Sequence, residues 1–319
     1  MPALISTLIT DAKPLGPQCQ QALPQLVLPH LSALLRVLTP GERHVGEEDT
    51  LSALHELLQA KAMGLPTTDG LLPWAALRAR ELGLDQAEPN AAWAWLTPCH
   101  WQVNSDHVRM ANPADCQISA EESQQVMHSM AEFFAQDGVR LHSQQQGNWL
   151  ASAEVFKGLP TASLARASGG AVDHWLPRQA QAQVLRRLQN EMQMMLYTHP
   201  INDARAARGL LPINSFWISG TGTLPQGFQG HASAPLDNLR SANLNDDPVA
   251  WTQAWQTLDN SAMRPLLEQA RSGQPVELIL CAETTAQSFT LQAQSRWARL
   301  QRLLPGRTGT DISALLQSL

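Results

Sequence analysis

The sequence predicts an α/β fold in which helices flank a mainly parallel central sheet, with a small antiparallel part added. The apolar run ALISTLI (3–9), bounded by Pro2 and Asp11, has the composition of a buried first strand. A second apolar run, PVELILCAE (275–283), indicates another buried strand near the other end of the chain. Segments with helical spacing lie between these runs, and alternating helices and buried strands are typical of α/β proteins.

Three helices are predicted in the first quarter of the chain. In 28–38, leucines recur at helical spacing. The segment 50–64 has Thr50 as an N-cap and Gly64 as a stop signal. In 71–83 a proline suits the first helical turn, where its missing N–H is not needed.

The middle of the chain, about 91–153, predicts antiparallel pairing. Apolar strand patterns in 91–103 and 106–110 are separated by a turn. The patterns in 139–143 and 148–153 flank the segment QQQG and predict a hairpin. We therefore expect one domain, 1–319, with an elaborated middle segment.

The clearest helix signal is SAEESQQVMHSMAEFFAQDG. Ser119 is the expected N-cap, Glu122 completes a capping box, and Gly138 ends the helix. A second long helix is predicted over 176–200, ending at His199-Pro200 because the residue before proline avoids the α region.

Later segments complete the pattern. A helix is predicted over 248–273, a strand over 287–292 that can pair with the apolar run before it, and a last helix over 295–304.

Composition excludes several classes of protein. The chain has 319 residues, a formal net charge of −6 and a pI near 5.9, so a general nucleic-acid-binding role is not expected. No segment approaches the ~20 apolar residues of a membrane span. The four cysteines show no zinc or disulfide spacing and predict reduced thiols in the cytoplasm. Ten tryptophans are spread along the chain, and most are expected to be core residues.

The stretch THPINDARAARGLLPINSFWISGTGTLP (198–225) is the strongest candidate for a ligand site. Arg205 and Arg208 lie three residues apart, on one face of any helical turn, and guanidinium groups suit phosphate or carboxylate. The expected loop Gly220-Thr221-Gly222 can bring backbone N–H groups close to an anion. The alternative is that the glycines only turn the chain and the arginines only form ion pairs.

The segment HPINDARAARGLLPINSFWISGTG resembles the late segment of archaeal-type cofactor-independent phosphoglycerate mutases. That resemblance implies the fold of the alkaline-phosphatase superfamily. It also implies that Asn202, Arg205 and Asn214 fall on positions typical of the family. Asp11, at the end of the first strand, would stand where that superfamily places its first metal-binding aspartate.

Most of the chain also resembles a family of proteobacterial proteins labelled phosphoglycerate-mutase-like or RpfE-type regulatory proteins. The matching pieces are LPWAALRARELGL, WAWLTPCHWQVNSDHVRM, NWLASAEVFKGLPTASL and the segment 186–222.

The sequence departs from the mutases where they bind two divalent metals. Asp106-His107 and Asp173-His174 are the two Asp-His pairs, and each lacks the partner motif of a two-metal site. We therefore predict a relative that has lost that site, needs no cofactor, and binds a phosphorylated small molecule in a regulatory role. The predicted ligand-binding residues are Asn202, Arg205, Arg208, Asn214, Gly220, Thr221 and Gly222.

Two alternatives stay open. The first is an active phosphoglycerate mutase or phosphatase in which Asp11 is catalytic. In that case Asp11, Asp106, His107, Asp173 and His174 supply ligands to Mn or Mg. The second is a protein-interaction module that works through a tryptophan-rich surface.

Overall fold

The computed structural model describes residues 5–88, 90–143, 148–230, 234–291 and 311–319, and it is a mixed α/β structure. The chain divides into two compact units. Unit 1 combines Met1–Glu48 with Ala234–Leu319, and unit 2 is Asp49–Ser233. The prediction that the chain forms one domain stays a prediction.

Unit 1 contains a four-stranded mixed sheet with the order β1-β9-β10-β2. Strand β1 (Ile5–Ile9) runs parallel to β9 (Val276–Cys281), with Ile9 opposite Leu280. Strand β10 (Thr285–Thr290) is antiparallel to both β9 and β2 (Thr39–Val45). The polar β2 forms one edge of the sheet and is largely exposed, as is usual for an edge strand that contains proline.

Helices of unit 1 supply most of its apolar core. Leu31, Trp251 and Trp255 are fully buried there, together with Leu278 and Leu280 of the sheet. The helices of this unit are α1 (Pro17–Ala22), α2 (Pro29–Val37), α9 (Arg240–Leu244), α10 (Pro248–Leu258), α11 (Arg264–Ser272) and α12 (Ile312–Ser318).

A π-helical segment, Asp259–Met263, joins α10 to α11 and places a buried carboxylate at the start of α2. Asp259 accepts hydrogen bonds from the backbone N–H of Leu31 (2.7 Å) and of His30 (3.1 Å), and its Oδ2 lies 2.9 Å from His30 Nδ1. Helix α2 has no side-chain cap of its own, so Asp259 satisfies its first N–H groups from a distant part of the chain.

Unit 2 contains a four-stranded antiparallel sheet with the order β6-β7-β3-β8. Its strands are β3 (Trp93–Cys99), β6 (Arg140–Ser143), β7 (Trp149–Ser152) and β8 (Ser215–Gly222). A separate two-stranded ribbon pairs β4 (Trp101–Val103) with β5 (Val108–Met110).

Helices cover both faces of this sheet. On one face, Met130 and Phe134 of α5 and Leu188 of α7 share a core with Leu96 and Phe216 of the sheet. On the other face, small residues of α4 pack with Trp93 and Leu150. The helices of unit 2 are α3 (Leu54–Met63), α4 (Trp74–Glu81), α5 (Ala120–Gln136), α6 (Leu164–Ala167), α7 (Gln183–Tyr197) and α8 (Pro200–Ala207).

Short 3₁₀ turns connect several of these elements. They are Leu23–Gln25, Leu84–Gln86, Pro113–Cys116, Glu154–Phe156 and Ala180–Ala182.

The prediction of a mainly parallel sheet is wrong, while the α/β class is confirmed. Among the described strands, only β1 and β9 form a parallel pair. The two apolar runs that predicted a parallel sheet, 3–9 and 275–283, do form the parallel pair β1–β9, but the antiparallel pairing predicted for the middle of the chain extends to a four-stranded sheet of its own. The predicted hairpin of 139–143 with 148–153 is confirmed by β6 and β7, while its turn QQQG lies outside the described residues.

Two helix predictions need correction at their ends. Helix α3 begins at Leu54 with Ala53 as its N-cap, so Thr50 does not cap it, although Gly64 does end it in the left-handed conformation. The helix predicted over 176–200 begins later, at Gln183. The capping box of Ser119 and Glu122 is confirmed. The helix predicted over 295–304 lies outside the described residues.

Within the part of the chain that the structure describes, no helix is long and apolar enough to cross a membrane.

We predict that Asp259→Ala lowers the free energy of unfolding by about 2–4 kcal/mol, since it leaves buried N–H groups of α2 without an acceptor. Asp247→Ala is the matched control, because Asp247 caps α10 through Val249 and Ala250 at the surface, where water can replace it. Its expected loss is about 1 kcal/mol. Urea denaturation monitored by circular dichroism measures both, and equal losses would contradict the assigned role of Asp259.

Candidate functional site

Asp11 lies directly beyond the carboxyl end of β1, and its backbone has a φ of 54°. The chain is held on both sides of it, because Thr10 N–H donates to Leu236 O (3.0 Å) and Ala12 N–H donates to Cys281 O (2.9 Å). The left-handed conformation is uncommon for a residue with a side chain, although aspartate tolerates it better than most. Such positions are found at functional sites more often than elsewhere.

An arginine from α9 faces the Asp11 carboxylate. Arg240 Nη1 donates to Asp11 Oδ1 at 3.2 Å, and the two side chains are 20% and 13% exposed. The second oxygen, Asp11 Oδ2, is buried without a hydrogen-bond partner, and the same is true of Thr10 Oγ1. A buried polar atom without a partner costs about 1–3 kcal/mol, so a polar group that reached these atoms would be stabilised there.

An asparagine of α9 fixes the backbone of this segment. Asn243 Nδ2 donates to the carbonyl oxygens of Asp11 (3.1 Å) and Lys13 (2.7 Å), and Asn243 Oδ1 accepts from Leu15 N–H (2.8 Å). Asn243 is buried, so these bonds are shielded from water. Helix α9 therefore contributes both the ion-pair partner of Asp11 and the side chain that donates a hydrogen bond to its main-chain carbonyl.

Cys281, at the carboxyl end of β9, lies close enough to the Asp11 carboxylate to be influenced by its charge. Burial raises the pKa of Cys281 to about 12, and the negative charge of Asp11 adds to the effect. A thiol with such a pKa stays protonated at neutral pH and is a poor nucleophile. All four cysteines are buried and free.

The surroundings of Asp11 do not fit the two-metal centre that the mutase resemblance implies. A divalent cation bound by this carboxylate would lie beside the Arg240 guanidinium, and two positive groups repel each other strongly in a partly buried place. Among residues 5–88, 90–143, 148–230, 234–291 and 311–319, no three His, Cys, Asp or Glu side chains are arranged to hold a metal ion.

The other candidate metal ligands lie in unit 2 near the β4–β5 ribbon. Asp106 Oδ1 lies 2.7 Å from His107 Nδ1, and Asp106 is well exposed. Asp173 Oδ2 accepts a hydrogen bond from Val108 N–H at 3.0 Å. The His174 ring packs on Trp175, with 4.3 Å between the ring centres. Asp106, His107 and Asp173 are thus close to the same ribbon and make local contacts there.

The predicted ligand residue Arg205 is fully buried in helix α8. Its Nε donates to Leu211 O (2.8 Å), its Nη1 to Glu122 Oε2 (2.6 Å), and its Nη2 to Cys116 O. Because protein acceptors engage all three of its nitrogens, Arg205 joins α8, α5 and the segment before α5.

Arg208 is the exposed member of the predicted set. Its side chain is 54% exposed, Nη2 donates to Glu122 Oε1, and Nε donates to Ala204 O at 3.2 Å. Burial acts to raise the pKa of Glu122, but the Ser119 N–H and the two arginines outweigh it, so the pKa lies below its usual value. Glu122 is consequently an ionised carboxylate shared by two guanidinium groups and a helix cap.

The two predicted asparagines also bond to the backbone. Asn202 Nδ2 donates to Leu196 O and Ile213 O, both at 2.8 Å, and its Oδ1 accepts from Ile213 N–H at 2.8 Å. Asn214 Oδ1 accepts from Trp101 N–H (2.7 Å), and Nδ2 donates to Trp101 O (2.8 Å). Each amide therefore replaces a missing backbone pairing at the junction between α8 and β8.

Gly220, Thr221 and Gly222 were expected to form a loop, and the structure places them at the end of strand β8. Thr221 is fully buried and donates to Leu159 O at 2.6 Å. Gly220 has a φ of 63°, and a Cβ there would lie 3.1 Å from the Trp95 side chain. The glycine at 220 thus serves backbone conformation and close packing.

Sequence reasoning found Asp11 but missed its partners Thr10, Arg240 and Asn243. The two α9 residues lie in the turn-rich segment between residues 226 and 247, whose approach to β1 depends on tertiary structure. Glu122 was recognised only as a helix cap. The sequence signal for its role as an ion-pair partner is the presence of two arginines three residues apart, because a buried arginine needs a carboxylate.

Comparisons with known proteins give distant structural likeness. Neither a protein-family model nor a curated protein matches the chain. The chain is similar to a solved structure described as the PH0037 protein from Pyrococcus horikoshii. That likeness has 13% identity and a TM-score of 0.49, over 99% of this chain and 93% of the other.

A second solved structure is the cofactor-independent phosphoglycerate mutase from Thermoplasma acidophilum DSM 1728. It shares 14% identity with a TM-score of 0.34, over 92% of this chain and 90% of the other. Both TM-scores are below 0.5.

We predict that Glu122→Gln destabilises the protein in a pH-dependent way. The ordinary pKa of this carboxyl is 4.5 and the folded value is lower. The contribution of ionised Glu122 is therefore complete above the ordinary value and is lost as pH falls through the folded pKa. The expected loss at pH 7 is about 3 kcal/mol, because the buried Arg205 is left without its counter-charge.

Urea denaturation of wild type and variant at neutral pH and below the ordinary pKa measures this difference. Glu191→Gln is the control, since Glu191 forms a surface i, i+4 pair with Arg187 at 3.6 Å and its loss is expected to be small at both pH values. A Glu122→Gln loss that does not shrink on acidification would contradict the role given to its charge.

Proposed function

We propose that the chain is a phosphoglycerate-mutase-like protein that binds a phosphorylated small acid without a two-metal centre and acts through binding, in a regulatory role. The observation that carries the proposal is the Asp11–Arg240 pair at the carboxyl end of β1. In α/β proteins, ligands bind beyond the carboxyl ends of strands. Asp11 is also the residue that the mutase resemblance singles out.

The site offers a cation in a place where the mutase resemblance implies a metal. The Arg240 guanidinium carries a permanent positive charge, and its Nη1 donates a hydrogen bond to Asp11 Oδ1. A guanidinium held by a carboxylate is oriented for a second, planar contact, which a phosphate or carboxylate satisfies well. In the proposal, Asp11 positions Arg240, and Arg240 contacts the anion.

Two further atoms favour a phosphorylated hydroxy acid. Thr10 Oγ1 has a hydrogen to donate to a phosphate oxygen, while Asp11 Oδ2 has a lone pair to accept from a hydroxyl group. Because neither atom has a hydrogen-bond partner, a ligand group that reached them would supply hydrogen bonds that these atoms do not make within the protein. A phosphorylated three-carbon acid carries all of the complementary groups.

Most of the residues predicted as ligand contacts in the segment 198–222 have a structural role in this proposal. Arg205, Asn202, Asn214 and Thr221 stabilise unit 2 through internal hydrogen bonds. Arg208 is exposed and stays a candidate for a surface anion contact. We assign the principal ligand site to Asp11 and Arg240.

We predict that 2- or 3-phosphoglycerate binds the wild-type protein and that Arg240→Ala weakens binding by at least about tenfold, or ~1.4 kcal/mol. The reason is the loss of the charged donor. Isothermal titration calorimetry measures the affinity of each protein for phosphoglycerate, with unphosphorylated glycerate as the comparison ligand. Arg264→Ala is the matched control, because Arg264 is an exposed arginine paired with Glu268 at 3.3 Å.

Arg240→Lys keeps a positive charge and is expected to retain part of the affinity. Equal affinity of wild type and Arg240→Ala, or no binding of either phosphoglycerate to wild type, would end the proposal for this site. Arg208→Ala tests the surface contact separately.

We further predict that the protein binds the phosphorylated acid equally well with and without EDTA. The repulsion between Arg240 and a divalent cation is the physical reason. Elemental analysis and a phosphatase assay with and without Mn²⁺ accompany the titration. Stoichiometric metal together with activity that EDTA removes would instead support the active mutase or phosphatase.

A further inference from the structure

Unit 2 contains a cavity of ≈ 550 Å³ that shares no residue with the site around Asp11. It lies where the start of β6, the end of β7 and the carboxyl end of α5 meet, and the residue before β3, Ala91, also lines it. Its polar lining residues are Glu88, Asn90, Arg140, Ser152 and Glu154. The volume is within the range of small-molecule sites, and the cavity is broadly open to solvent.

Arg140 supplies the positive charge of this cavity. It is the first residue of β6, forms an ion pair with Glu88, and is 70% exposed. An exposed ion pair contributes little to stability, and the Arg140 guanidinium has further donors beyond the one that contacts Glu88. A ligand carboxylate can therefore bind Arg140 without breaking a buried contact.

The negative charge of the lining lies beside Arg140. Glu88, whose side chain is 17% exposed, lines the cavity and forms the ion pair with Arg140. Ala135 and Gly138, at the carboxyl end of α5, also line the cavity. The end of a helix presents carbonyl groups and a partial negative charge, which stabilises a nearby cation. Glu154 is exposed and lies 3.4 Å from Lys157, so it adds less.

One lining residue, Ser152, is hydrogen-bonded to a neutral imidazole. Ser152 Oγ is 3.2 Å from His142 Nε2, and the imidazole packs on Trp93 with 5.0 Å between ring centres. Burial lowers the pKa of His142, Glu88 acts to raise it, and Arg140 acts to lower it. The imidazole is therefore neutral at pH 7, and this pair offers hydrogen bonds without net charge.

We propose that this cavity binds a small zwitterion of amino-acid size. The ligand carboxylate pairs with Arg140, and its ammonium group lies between Glu88 and the carboxyl end of α5. A simple anion would be repelled by Glu88, and a simple cation would be repelled by Arg140. A molecule that carries both charges satisfies both, and Asn90 and Ser152 remain to bond its polar side chain.

The test uses the full-length protein and the free L-α-amino acids, each compared with its decarboxylated amine and its deaminated acid. Thermal shift at about 10 mM ligand identifies binders, because a ligand that binds only the folded state raises its stability. Calorimetry then gives affinities. We expect at least one amino acid to bind, and its amine and acid analogues to bind at least about tenfold more weakly.

Variants separate this role from a structural one. Arg140→Ala and Glu88→Gln are each expected to weaken binding at least about tenfold, while Arg140→Lys recovers part of it. Arg264→Ala, in unit 1, is expected to bind as wild type does. If Arg140→Ala does not fold, the ligand affinity of Glu88→Gln tests the proposal alone.

Three results would overturn the proposal. They are the failure of every amino acid to bind, equal binding of an amine or acid analogue, and unchanged affinity in both Glu88→Gln and Arg140→Ala. Because this cavity shares no residue with the Asp11 site, failure here leaves the binding of phosphorylated acids to be judged by its own titration.

Discussion

Unit 2 depends on one carboxylate. Glu122 completes the capping box of α5 and at the same time forms ion pairs with two arginines of the segment that leads into β8. A guanidinium as deeply buried as that of Arg205 is tolerated only with a counter-charge and full hydrogen bonding. Since Arg205 also holds the carbonyl groups of Leu211 and Cys116, this ion pair fixes where the chain enters the central strand pair β3–β8.

The elements that the sequence predicts correctly are those whose signals are local. Local signals identified β1, α2, α5 and the β6–β7 hairpin, because apolar spacing and capping residues act within a few positions. The edge strand β2 was not predictable, since its exposed, polar residues give no apolar pattern, and its antiparallel pairing with β10 helps to make the sheet of unit 1 mixed. The burial of Arg205 was equally hidden, because its partner Glu122 lies 83 residues away.

The two candidate sites differ in how the chain builds them. At Asp11, a strained backbone position and unpartnered polar atoms meet an arginine from a distant helix. At the cavity of unit 2, the charges belong to the edge strand β6 and to the segments that flank β3 and β7. Sequence reasoning reached Asp11 through a family resemblance. It had no means of bringing Glu88 and Arg140 together, because only the antiparallel pairing of β6 with β7 and of β7 with β3 does so.

The split composition of unit 1 sets an order of events during synthesis. Strand β1 pairs with β9, and Ser6 bonds to Glu277 across 271 positions of chain. Unit 2 is continuous, so all of its strand partners leave the ribosome before β9 does. The apolar strand β1 therefore lacks its partner strand β9 throughout the synthesis of unit 2. Nascent chains that end before residue 276 thus expose an apolar strand without its partner, which favours aggregation and capture by chaperones.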